Sequence, residues 1–67
     1  MTSKTIRKKI YVVTYIIGSA VFFDFFDHEP SEEDIVESLL ELMRNVGFFK
    51  NVRVSVRAVD IEIEYEN

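Results

Sequence analysis

His28 is the only histidine of the chain, and it stands among acids in Asp24-Phe25-Phe26-Asp27-His28-Glu29-Pro30. An imidazole beside carboxylates suits a divalent cation held mainly by oxygen. The same residues also describe a solvated strand-to-helix loop whose acids support a helix N-terminus, and that is the expectation here. His28-Glu29 matches the first two residues of the zinc-protease motif. Pro30 and the lack of a second histidine exclude that chemistry. No metal or other cofactor is expected.

Catalysis has still less to work with. There is no cysteine, and Ser3, Ser19, Ser31, Ser38 and Ser55 share a single histidine, which does not make a triad. Glu37 with Glu41, and Glu62 with Glu64, are carboxylate pairs that solvated surface explains. Both glycines are used at a turn and a helix end, so there is no phosphate loop. The chain reads as a non-enzyme.

Charge is the more informative chemistry. The net charge of −4 hides blocks. Lys4, Arg7, Lys8 and Lys9 form a basic arm. Asp24, Asp27, Glu29, Glu32, Glu33, Asp34, Glu37 and Glu41 follow with no cation among them. Arg44, Lys50, Arg53 and Arg57 come next, then Asp60, Glu62, Glu64 and Glu66. Such blocks pair within the fold or face a partner. Glu33, Glu37 and Glu41 make an acidic ridge at helical spacing that would complement a basic surface on another protein. Nucleic acid is the alternative partner. It would be met by the arm Lys4–Lys9, chiefly Lys8 and Lys9, with Arg53 and Arg57, while Tyr11 and Tyr15 stack on bases.

A sheet and one helix must position these groups. Ile10–Phe26 reads IYVVTYIIGSAVFFDFF, in which Asp24 is the only formal charge. β-Branched and aromatic residues on both sides of Gly18-Ser19 predict a hairpin, with strands from near Thr5 to Ile17 and from about Ala20 to Phe26. Basic residues before an apolar stretch also resemble a signal segment. The uncharged run of fourteen residues, Ile10–Phe23, is short of the ~20 needed to span a bilayer, and it is not leucine-rich. A cytoplasmic protein without a membrane segment is expected.

Ser31 predicts a helix N-cap, with Asp34 completing a capping box, acids in the first turn, and Gly47 at the far end. Ile35, Val36, Leu39, Leu40, Leu42, Met43 and Val46 form its apolar stripe, about 160° wide. Beyond it, Val52, Val54, Val56 and Ala58 alternate with polar residues. The phase then flips to Val59, Ile61, Ile63 and Tyr65. A one-residue slip reverses the faces of a strand. The expectation is one long strand bulged near Ala58-Val59, or a split into a fourth strand.

A right-handed crossover through the helix makes strands 2 and 3 parallel, with strand 1 between them and antiparallel to both. Residues 1–67 therefore form a single small α+β domain, β-β-α-β, with strand order 2-1-3 and the helix on one face. This order sets Ile6-Arg7-Lys8-Lys9 beside Ile61-Glu62-Ile63-Glu64, where opposite charges meet.

One helix covers one face. The other keeps either Tyr11, Val13, Tyr15 and Ile17 or Ile10, Val12, Thr14 and Ile16 in the open. The first set, with Phe22, Phe23, Phe25 and Phe26 on the second strand, is assigned to self-association. The function expected is a small acidic non-catalytic protein-interaction module, an inhibitor or accessory protein acting as a homodimer. Small acidic cysteine-free proteins of this style occur among inhibitors encoded by phages and mobile elements; no motif carries a family resemblance. A nucleic-acid-binding module and a homo-oligomeric structural protein are the alternatives.

Overall fold

In the computed structural model, which describes residues 2–66, the chain runs β1 (Ser3–Ile17), β2 (Ala20–Phe26), α1 (Glu32–Val46) and β3 (Arg53–Glu66). The strands form one sheet in the order β2-β1-β3, antiparallel at both pairings, as the crossover argument requires. Gly18 and Ser19 close the hairpin between Ile17 and Ala20. Only Gly18 has positive φ, +62°, the pattern of a II′ turn with glycine first.

Ser31 caps α1 as expected. Its Oγ accepts from Asp34 N–H at 3.2 Å, and Asp34 Oδ2 accepts from Ser31 N–H at 3.0 Å. These bonds satisfy two of the donors a helix start leaves open. Gly47, at φ +113°, ends the helix and donates its N–H to Met43 O at 2.9 Å. Among the described residues no helix is long and apolar enough to cross a membrane.

The register sorts side chains onto two faces, because directly opposed antiparallel residues share a face. Tyr11, Val13, Tyr15 and Ile17 lie with Phe22, Asp24 and Phe26 of β2 and Val54, Val56 and Ala58 of β3. α1 lies on this face over β1 and β2, and Val54, Val56 and Ala58 of β3 stay exposed beside it. The hydroxyl of Ser38 on the helix donates to the Asp24 carboxylate, tying α1 to β2. Val13 is fully buried and Tyr15 is 2% exposed, and no other side chain among the described residues is as enclosed. The opposite face carries Ile6, Ile10, Val12, Thr14 and Ile16 with Val21, Phe23 and Phe25, and with Val59, Ile61, Ile63 and Tyr65.

The bulge expected near Ala58-Val59 does not occur, and β3 does not split. Pairing with β1 is unbroken from Ser3↔Glu66 to Ile16↔Arg53. The phase flip has another cause. β2 pairs with β1 only as far as Tyr11, opposite Phe26, so the sheet narrows there to a two-stranded ribbon of Ser3–Ile10 and Val59–Glu66. On the ribbon the helix-side face is bare and takes Arg7, Lys9, Asp60, Glu62 and Glu64, while the apolar residues move to the far face. β1 makes the same change on the same rungs. The phase of a strand reports which side is covered, and here coverage changes while pairing continues.

The ribbon gives the molecule extents of 52 × 20 × 18 Å and a radius of gyration of 15.6 Å. About 11 Å is usual for a compact chain of this length. On the ribbon Arg7 Nε lies 3.4 Å from Glu62 Oε2, and Lys9 stands opposite Asp60. The expected meeting of basic and acidic segments thus has a definite register. Both members of the Arg7–Glu62 pair are well exposed, so it adds little to stability.

Candidate functional site

The largest feature with no intramolecular explanation is the sheet face away from α1. Phe23 and Phe25 on it are 61% and 66% exposed, and Ile6, Ile16, Val21, Ile63 and Tyr65 are also open. Three rungs define its broad end: Val21–Ile16–Arg53, Phe23–Thr14–Ser55 and Phe25–Val12–Arg57. Lys8 and Lys4 lie on the same face along the ribbon. Every charge on this face is therefore positive, although the protein is acidic. The acids of the sheet, Asp24, Asp60, Glu62, Glu64 and Glu66, all lie on the other face.

The residues assigned to self-association from sequence divide between the two faces. Phe23 and Phe25 are on the open face. Tyr11, Val13, Tyr15, Ile17, Phe22 and Phe26 are on the side of α1, and Val13 and Tyr15 lie beneath it. The open β1 set is Ile10, Val12, Thr14 and Ile16. Missing from the sequence assignment were Ile6, Val21, Ile61, Ile63 and Tyr65. The phase flip in β3 carried that signal, since it moves the later apolar residues to the face of Phe23 and Phe25.

Of the cations offered for nucleic acid, Lys8, Arg53 and Arg57 share the open face, and Lys9 lies on the other, opposite Asp60. The stacking residues proposed with them do not. Tyr11 and Tyr15 belong to the covered face. Glu33, Glu37 and Glu41 form an exposed line along α1. Glu41 is partly engaged, accepting from Arg44 Nη1 at 3.0 Å while its backbone oxygen accepts from Asn45 Nδ2 at 3.1 Å.

Beside the ridge, a shallow groove between α1 and β2 is lined by Tyr15, Phe22, Asp24, Ser38, Leu42 and Asn45. Burial raises the Tyr15 phenol above its ordinary range. Ser38 acts in the lowering sense and the Asp24 charge in the raising sense. The Ser38 hydroxyl is directed to Asp24, and Tyr15 Oη has no hydrogen-bond partner.

His28 holds the other polar cluster. Its Nδ1 is 2.9 Å from Asp27 Oδ1 and its Nε2 is 3.3 Å from Asp34 Oδ2, and the ring meets Phe26 edge-on at 5.8 Å. Both ring nitrogens are thus engaged by carboxylates. Among the described residues no three histidine or acid groups converge to hold a metal ion. The hydrogen bond to Asp27, then that to Asp34, raises the His28 pKa. Asp27 is lowered by His28, and Asp34 is lowered chiefly by the Ser31 N–H.

The sign of the pH dependence follows. The His28 contribution is complete below the unfolded value of about 6.5 and is lost as pH rises through the raised folded value. The Asp34 contribution is present above its unfolded value and lost as pH falls through the lowered folded one. Proton NMR should place the His28 midpoint above 6.5, and Asp27→Asn should bring it down. A midpoint of 6.5 in both proteins would show that the ring does not hold the carboxylates.

Comparison of the chain with protein-family models, with curated proteins and with solved structures finds no match in any of the three.

Proposed function

We propose that this protein is a non-catalytic interaction module that acts as a homodimer, the open sheet face of each copy being closed by the other. The observation that carries this reading is the unfinished core. Among the described residues two side chains are buried, while Val21, Phe23 and Phe25 of β2 and Ile16 of β1 lie open on one face. A compact monomer of 7.9 kDa exposes about 4,400 Å². This chain exposes 5598 Å², an excess of roughly 1,200 Å². A standard interface takes about 800 Å² from each partner, less than this excess, which the open face shares with the bare side of the ribbon. With that face closed, the ridge of Glu33, Glu37 and Glu41 stays accessible to a basic protein surface, the role of an inhibitor or accessory subunit.

Light scattering over a wide concentration range tests the assembly. A mass of two chains, giving way to one chain on dilution, is the expected result. One chain at every concentration refutes the dimer, and larger assemblies would favour the structural-protein alternative.

A second reading is favoured by one observation: Lys4, Lys8, Arg53 and Arg57 share the open face with Phe23, Phe25 and Tyr65, and no acid lies among them. Such a face suits single-stranded nucleic acid, with bases on the rings and phosphates on the cations. That binding would weaken steeply with salt. Absence of binding to labelled single-stranded RNA and DNA at low salt removes this reading.

A further inference from the structure

The register of the sheet also bears on how two copies meet, an inference that rests on the homodimer reading. Two like sheets stacked face to face can be related by a two-fold axis running along the strands or by one running across them. Sheets stack about 10 Å apart with their strands crossing at about 30°. An axis across the strands at the broad end lays β3 on β3 of the second copy. Arg53 is then forced against Arg57 of the second copy, a like-charge contact inside the interface. Moving that axis toward the ribbon, to Val59, sets Arg57 over Ile61 and Arg53 over Tyr65 of the second copy and leaves Phe23 and Phe25 with nothing beneath them, because β2 stops at Phe26.

An axis along β1 removes both faults. β3 then lies over β2 of the second copy, and β1 lies over β1. On the rung Phe25–Val12–Arg57 the guanidinium of Arg57 meets the ring of Phe25 from the other chain, and symmetry repeats the contact. A guanidinium over an aromatic ring is attractive, and more so when water is excluded. Val12, Thr14 and Ile16 close on themselves along the axis. The crossing angle spreads the two ribbons, so Lys4 and Lys8 stay hydrated and apart from their counterparts. We propose that a second copy of this chain seats on the open face about a two-fold axis along β1, pairing Arg57 of each copy with Phe25 of the other.

This arrangement sends both ribbons out of the same end of the dimer, which gives the test. The chain has no cysteine, so Thr5→Cys provides a single site for a nitroxide. Position 5 is on the ribbon's helix-side face, away from the interface. It lies eight residues from Val13, about 27 Å along the strand. Pulsed dipolar spectroscopy should then give a Thr5–Thr5 separation of about 20 Å for the axis along β1. An axis across the strands at the broad end gives about 50 Å, and joining of the two β3 edges gives about 35–40 Å. Either longer distance overturns the orientation and leaves the dimer standing. No dipolar signal at concentrations well above micromolar overturns the dimer itself. Arg57→Glu should weaken dimerisation at least tenfold, and unchanged dimerisation would overturn the Arg57–Phe25 contact.

Discussion

Replacing Phe23 and Phe25 together by lysine should convert the proposed dimer to a monomer and leave the monomer folded. Each ring shows about two-thirds of its surface in the single chain. Burying that much of a phenylalanine gains about 3 kcal/mol at 25 cal/mol per Å². The two-fold doubles the number of rings, and the new lysines join Arg53 and Arg57 on a face that already carries only positive charge. The dissociation constant should rise by at least three orders of magnitude, read by light scattering. The same substitutions uncover only the third of each ring that is covered in the monomer, so its own stability should fall by no more than about 1–2 kcal/mol. Far-ultraviolet circular dichroism and a cooperative melt check that the chain still folds. A double variant that remains dimeric would place the interface elsewhere, on the outer edge of β3 or on the flank of α1 where Val36 and Leu40 are also half exposed.

The distinction between interface and core was only partly legible in the sequence. The helix bounds, the hairpin and the order β2-β1-β3 follow from local signals that agree with one another: the Ser31 cap, Gly18, the crossover and the matched charge segments. Which face α1 covers does not follow, because β1 is apolar on both. Tyr11, Val13, Tyr15 and Ile17 alternate with Ile10, Val12, Thr14 and Ile16, and either set would suit a helix. The deciding contact is a polar one, between Ser38 and Asp24, fourteen residues apart in sequence. Asp24 is the only formal charge between Ile10 and Phe26, and Ser38 is a small polar residue beside the helix stripe. Their pairing selects the even side of β2, and with it the odd side of β1. The bulge was inferred from a phase change that signals uncovered sheet, since local periodicity records burial without saying what provides it.

Val13→Ala is the counterpart in the core. Val13 is fully buried at the centre of the sheet, on the rung between Asp24 and Val56. Its truncation removes buried methyl groups and leaves a cavity beneath α1, a loss of about 2–3 kcal/mol. A chain of this size has roughly 3–10 kcal/mol of stability in all, so the loss is a large share of it. Val56→Ala on the same rung should cost clearly less, because Val56 is 45% exposed. Tyr15→Phe should move the other way. It keeps the ring and removes a buried hydroxyl with no partner, a gain of about 1 kcal/mol. Dimerisation adds its own concentration-dependent stability, so the three are best compared by urea denaturation in the Phe23→Lys, Phe25→Lys background. There the core is measured without the interface. A Val13→Ala loss below half a kcal/mol would show that α1 does not rest on this face. A Tyr15→Phe loss would show that Ser38 accepts from the phenol and links Tyr15 to Asp24.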